Sequence, residues 1–165
     1  MILSAAVVVF ASMIAEAVLA ARNDEALRAR GAVEPSRDVY GIMQVAYPAC
    51  FVLMLAEGAW RGVGMDATFW IGAAAFAAGK ALKYWAIATL GPRWTFRVLV
   101  PPDGERISRG PYRWLAHPNY VGVAGELLGV AIAMRASLTG PVSVAGFCFL
   151  MVRRVIVEEK ALSGR

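Results

Sequence analysis

Apolar residues in this chain gather in five long runs, at 1–21, 39–60, 67–90, 118–134 and 137–152, separated by short polar stretches. A segment that is apolar on all sides has no face for water. Each run approaches the ~20 residues that carry a helix across a bilayer, the last two at the short end. From residue 157 onward the chain is too polar to span. The pattern predicts an all-α, polytopic membrane helical bundle of about five transmembrane helices. Residues 1–165 form one domain, in which a cytosolic loop and a C-terminal tail supply the polar surface. The first run has no basic leader and is longer than the apolar core of a signal peptide, so it is read as helix one.

Composition supports this reading: 59% of residues are hydrophobic, 18% are charged and the mean hydropathy is +0.56. The seventeen Lys and Arg residues fall unevenly. Arg22, Arg28, Arg30 and Arg37 follow the first run; Arg93, Arg97, Arg106, Arg109 and Arg113 follow the third; Arg153, Arg154, Lys160 and Arg165 close the chain. In a five-span arrangement all of these share one side, against only Arg61 and Arg135 on the other. The positive-inside rule then sets the N-terminus outside and the C-terminus in the cytoplasm. Anionic membrane lipids account for the net charge of +5. No basic patch is interleaved with aromatic rings as in single-strand binders, so no nucleic acid is expected, and no obligate protein partner is inferred.

Other chemistries lack their residues. There is one histidine, and Cys50 and Cys148 lie apart within apolar runs, so no metal site is expected. Neither a glycine-rich dinucleotide fingerprint after a strand nor a Walker A sequence occurs. The first connection, 22–38, mixes signs and is expected to be an exposed helical end followed by a turn at Pro35, with no chemistry assigned. Within the third run Lys80 is expected to snorkel to the headgroups. Lys83 either does the same or faces the bundle and meets Glu126. The glycines and alanines at 72–79 permit close helix packing.

The stretch from Gly110 to Glu126 concentrates the remaining chemistry. It leaves an Arg-bearing polar connection and ends two turns inside an apolar run, with His117 at the join. Pro118 suits the first turn of a helix beginning there. His117 then sits where free N–H groups and the positive end of the helix dipole favour an anion, such as the carboxylate of an amino-acid-like cofactor. Gly122 leaves room beside Glu126 for another backbone or a ligand. A plain proline-capped span with an interfacial His and Tyr fits the same residues equally well. Farther on, Arg154 and Glu158 are four apart and are expected to pair along one helix face, which by itself is an ordinary surface ion pair.

Taken together, Gly110-Pro-Tyr-Arg, His117-Pro-Asn-Tyr-Val-Gly and Arg154-x-x-x-Glu158-Glu159-x-x-Leu162 resemble the signature of the isoprenylcysteine carboxyl methyltransferase family. The bacterial branch is the nearer match, and a similar Leu-Gly-x-Arg-Trp-Thr run occupies 90–95. The resemblance covers roughly the C-terminal half. It implies S-adenosylmethionine-dependent methyl transfer, with loop and tail closing over the cofactor and a lipid-like acceptor entering from the bilayer. Carried over by position, Tyr112, His117, Pro118, Asn119, Tyr120 and Glu158 bind the cofactor, with Arg106 and Ile107 lining it. Arg154 sits beside the transferring methyl group. The chain departs from the family at Ala116, where Arg is usual; Arg113 is a possible compensation.

A sulfonium donor and an anionic oxygen neutralise each other on reaction, so alignment and exclusion of water supply much of the acceleration. A carboxylate needs no general base and an acidic phenol or hydroxypyrone needs little help, whereas an amine must first lose a proton. The candidate catalytic groups are Arg154, Glu126 and Glu159; no obvious base occurs other than Glu126, Glu159 and His117, the last read first as a cofactor contact, and this favours O-methylation. The alternatives are a phospholipid or amine N-methyltransferase, a sterol-like lipid reductase, and a non-enzymatic membrane partner protein.

Overall fold

The computed structural model describes residues 1–34, 38–100 and 107–163, the side chains of 161–163 excepted. Five helices carry the chain: α1 (Ile2–Ala29), α2 (Tyr40–Trp60), α3 (Ala67–Leu90), α4 (Pro118–Ala133) and α5 (Thr139–Ser163). Short 3-10 turns at Gly91–Arg93 and Gly110–Arg113 bracket the connection between α3 and α4. No strand occurs among the described residues, only an isolated bridge between Val33 and Val100. Helices α1, α2 and α5 are long and apolar enough to cross a membrane, and the protein is a membrane protein. Helix α3 is interrupted by two lysines, and α4 has only 16 residues.

Local chemistry sets the helix ends. Asp66 caps α3 by accepting from the Phe69 N–H at 3.0 Å. That hydrogen bond, with Arg135 nearby, holds its carboxyl below the usual range despite partial desolvation. Helix α3 stops at Gly91, whose φ of +56° an L side chain rarely adopts. Pro118 occupies the first position of α4. The start of α5 is held from another helix. Glu57 of α2 accepts from the Leu138 N–H at 3.1 Å and the Thr139 N–H at 2.8 Å, while Arg61 Nε binds it at 2.8 Å.

The tightest packing is between α3 and α4, where backbone meets backbone. A Cβ added at Gly79 would lie 2.7 Å from the Gly122 carbonyl oxygen and 2.8 Å from the Glu126 nitrogen. One added at Gly122 would lie 2.8 Å from the Gly79 carbonyl oxygen. The space beside Glu126 therefore belongs to the backbone of α3. Gly72 and Gly129 repeat the arrangement two turns away. Gly79→Val is expected to force the helices apart, at a cost of about 1–3 kcal/mol or more, and to lower the melting temperature and the monodisperse fraction in detergent. Gly41→Ala, whose added methyl meets nothing within 4 Å, is the control that leaves both unchanged.

The apolar core lies among α2, α4 and α5, around Phe51, Met54, Leu127, Met134 and Phe147. Helix α1 packs on α2 and on the turn at Gly91–Arg93, where Ala20 meets Ile87 and Trp94. It is otherwise attached through side chains. Inside the bundle Glu16 (α1), Lys80 and Lys83 (α3) and Glu126 (α4) form a buried four-charge cluster. Lys80 Nζ lies 2.8 Å from both Glu16 Oε1 and Glu126 Oε2; Lys83 Nζ lies 2.6 Å from Glu16 Oε2 and 3.4 Å from Glu126 Oε1. Tyr47 of α2 donates its hydroxyl to Glu126 at 2.5 Å. Lys83 thus faces the bundle and meets Glu126. The expectation for Lys80 is corrected: it is buried between two carboxylates, Glu16 of α1 and Glu126 of α4, whose charges hold its ammonium group inside the bundle.

Candidate active site

Residues 90–100 and 107–116, the first turn of α4 and the last turns of α5 line a cavity of about 390 Å³ at one end of the bundle. The described residues that follow the turn at Gly91–Arg93 and flank the turn at Gly110–Arg113 line the cavity, and α5 continues past its apolar part as one helix to Ser163. The tail, expected to close over a cofactor, is the helical end of α5, which carries Arg154, Glu158 and Glu159 to the cavity.

Most of the expected site residues meet here. Ile107, Tyr112, His117, Asn119, Tyr120, Arg154, Glu158 and Glu159 all line the cavity, as does Ala116. Pro118 lies behind the wall, fully buried at the start of α4. Arg106 lies outside the described residues, as does the turn expected at Pro35. Glu126 is not at the cavity; it belongs to the buried cluster two turns deeper along α4. Arg113 is not at the cavity either. Its guanidinium lies 6.0 Å from the ring centre of the exposed Trp114.

Tyr120 connects the polar groups. Its hydroxyl accepts from Arg154 Nε at 3.0 Å and donates to Glu158 Oε2 at 3.0 Å. The direct pair expected between Arg154 and Glu158 is not formed among the described residues, because this hydroxyl stands between them and Arg154 pairs elsewhere. His117 sits between two carboxylates, with Nδ1 3.8 Å from Glu158 Oε2 and Nε2 3.2 Å from Glu159 Oε1. Its ring leans on Tyr120 at 5.6 Å between centres. Tyr112, on the turn at Gly110–Arg113, has its phenol pushed well up by burial and by the Glu158 charge, so it remains a hydrogen-bond donor at neutral pH.

The opposite wall is fixed by residues that sequence reasoning passed over. Asn23 at the end of α1 donates to the Trp94 carbonyl at 2.7 Å, and the Trp94 indole donates to Asn119 Oδ1 at 3.3 Å. Arg97 is clamped by Glu34 at 2.8 Å and Asp24 at 3.5 Å, over the ring of Tyr40 at 4.6 Å. The hydrogen bond to Glu34 raises the Arg97 pKa. Burial opposes ionisation of Glu34, but Arg97 and Arg28 more than offset it and hold its pKa low. Val33 and Val100 exchange backbone hydrogen bonds at 3.1 and 3.0 Å. Asp24, Val33 and Glu34 of the first connection, to which no chemistry was assigned, therefore brace the cavity from outside. That connection looked uninformative because alternating charges on a loop do not show which partners they will meet. Glu16 offered a clearer signal, as a lone carboxylate in an apolar run.

Fold and cavity together define a helical membrane protein with a cavity at one end of its apolar bundle, lined by apolar side chains and by His117, Tyr112, Tyr120, Arg154, Glu158 and Glu159. The chain belongs to the isoprenylcysteine carboxyl methyltransferase family, whose profile matches residues 70–164. It is 30% identical over 149 residues to "Uncharacterized protein YpbQ" of Bacillus subtilis (strain 168), covering 90% of this chain and 88% of that one. It is 24% identical over 143 residues to an "Uncharacterized protein" of Haemophilus influenzae, covering 86% and 83%. No solved structure matches the chain. Membership implies a methyltransferase, and methyltransferases of this family generally use S-adenosylmethionine.

Proposed function

We propose that the protein is an S-adenosylmethionine-dependent O-methyltransferase acting on a membrane-embedded, lipid-like acceptor that offers a carboxylate or an acidic phenol or pyrone hydroxyl. The observation that carries this reading is the meeting of His117, Tyr120, Arg154 and Glu158 around one cavity, from segments 34 or more residues apart in sequence. The donor set suits the cofactor. In this reading the Asn119 N–H at the start of α4 and the Tyr112 hydroxyl would receive a carboxylate, the Tyr120 and Val121 N–H groups already donating to the His117 carbonyl. Glu158 and Glu159 are placed to receive an ammonium group, and Trp94 and Tyr120 offer aromatic and hydroxyl surface.

When bound, S-adenosylmethionine supplies an activated methyl: the acceptor oxygen forms the new O–CH3 bond as the S–CH3 bond breaks and its electron pair returns to sulfur. The protein's part is positional and electrostatic. Arg154 faces the cavity with its guanidinium already fixed, so it meets an acceptor oxygen without reorganising. His117 and Glu159 hold a proton position for an acceptor that arrives as a neutral hydroxyl. The side of the membrane follows from charge: Arg28, Arg93, Arg97 and Arg154 lie at the cavity end, while Arg61 and Arg135 lie at the other. We therefore assign the cavity to the cytoplasmic face.

Titration of the detergent-purified protein with S-adenosylhomocysteine tests the cofactor class. His117→Ala and Glu158→Gln are each expected to weaken binding by about 10- to 100-fold, the worth of a hydrogen bond to a charged group. Wild-type affinity in both variants would remove the site assignment.

A further inference from the structure

Arg154 is held by more than the site's own residues. Its Nη1 lies 3.0 Å from Asp38 Oδ2 and 3.3 Å from Oδ1, its Nη2 donates to the Phe96 carbonyl, and its Nε donates to the Tyr120 hydroxyl. The side chains of Asp38 and Arg154 are 7% and 6% exposed, so their charges face one another nearly out of water. The Tyr40 ring lies 6.0 Å from the guanidinium carbon. Asp38 does not line the cavity; it stands behind Arg154, at the entrance to α2 and 116 residues away in sequence.

From this geometry we propose that Asp38 is a positioning residue for methyl transfer, fixing the Arg154 guanidinium and balancing its charge. Three acceptors on three different nitrogens hold the guanidinium plane in one orientation, leaving its remaining N–H groups as the only ones that a reacting oxygen can use. The carboxylate also answers an energetic need. A buried guanidinium without a counter-charge is costly, and it would hold any anion tightly before reaction. Binding of that kind stabilises the ground state as much as the transition state and adds nothing to turnover. With Asp38 behind it, Arg154 offers direction in place of a free positive charge. The inference deepens the methyltransferase reading and rests on it for its catalytic consequence, while the positioning of Arg154 stands independently of any acceptor.

The test uses the full chain in detergent and has two arms. The first reads Arg154 directly by nitrogen-15 NMR of the arginine side chains, with Arg154→Lys identifying its signals. The wild type is expected to show separate Nη1 and Nη2 resonances, because rotation about Nε–Cζ is hindered. In Asp38→Ala they should merge into one averaged signal, and in Asp38→Glu they should separate again. Resonances already averaged in the wild type, or still separate in Asp38→Ala, overturn the proposal.

The second arm measures methyl transfer to two probes, N-acetyl-S-farnesylcysteine and a long-chain alkyl hydroxypyrone. Asp38→Ala is expected to lower kcat by about 100-fold, the cost of a misplaced reacting group. S-adenosylhomocysteine affinity should stay unchanged, and Asp38→Glu should recover most of the rate. Asp38→Asn should lower kcat while also lowering KM for the carboxylate probe, because the unbalanced cation then binds the anion in the ground state. Wild-type kcat in Asp38→Ala sinks the proposal even if the NMR signals merge. If the wild type binds S-adenosylhomocysteine and methylates neither probe, the O-methyltransferase reading fails, and the NMR arm still decides the role of Asp38.

Discussion

Arg154→Ala is expected to lower methyl transfer by about 10²-fold, because the acceptor oxygen loses the donor that aligns it with the methyl group. S-adenosylhomocysteine affinity should change little. The two effects separate because Arg154 reaches the cavity through contacts with Asp38, Phe96 and Tyr120, while His117 meets Glu158 and Glu159 on its other side. Arg154→Lys distinguishes charge from geometry. A lysine keeps the positive charge but cannot serve Tyr120, Asp38 and the Phe96 carbonyl together from one planar fork. It should therefore recover less than a tenth of the lost rate, as about tenfold or more of such an effect rests on orientation. Single-turnover measurements at saturating donor would show this as a fall in the chemical step. Turnover surviving in Arg154→Ala would move the acceptor site elsewhere in the cavity.

The second large effect concerns stability. Glu126→Leu removes one carboxylate from the buried cluster and leaves Lys80 and Lys83 sharing Glu16 alone. An uncompensated buried charge costs about 3–5 kcal/mol, so the variant is expected to unfold at much lower temperature or denaturant. Lys83→Met should do comparable damage by leaving Glu16 and Glu126 with Lys80 only. Combining the two substitutions restores neutrality, and the double variant is expected to be more stable than either single one. The cycle measures this coupling directly. It also separates two roles for Glu126: a stable Glu126→Gln protein that has lost methyl transfer would return that residue to the chemistry.

Much of this arrangement was legible because its cause is local. The run at 67–90 became α3 with the same bounds, and the runs at 39–60 and 118–134 became α2 and α4 within a residue. The bilayer demands continuous apolar length, and such length can be counted along a chain. His117 at a helix start with Pro118 was equally readable, since both residues act on their immediate neighbours. What could not be read was pairing across long separations. Nothing near Asp38 says that it will meet Arg154, and nothing near Glu16 names Lys80 and Lys83 as its partners. The i,i+4 spacing of Arg154 and Glu158 pointed to a direct bond, yet Tyr120 from another helix took the place between them.

The brevity of α4 has a consequence for where the reaction takes place. Sixteen residues rise only ~24 Å at ~1.5 Å each, several ångströms short of a hydrocarbon core ~30 Å thick. At the far end Arg135 and Asp66, paired and largely exposed, belong among the headgroups. With the cavity at the cytoplasmic face, as proposed, a bilayer-crossing α4 would have that deficit at its His117 end. The bilayer must thin there, or the cavity must carry water inward. On the proposed function, with a lipid-like acceptor, the thickness of the host membrane would then help set how well donor and acceptor align.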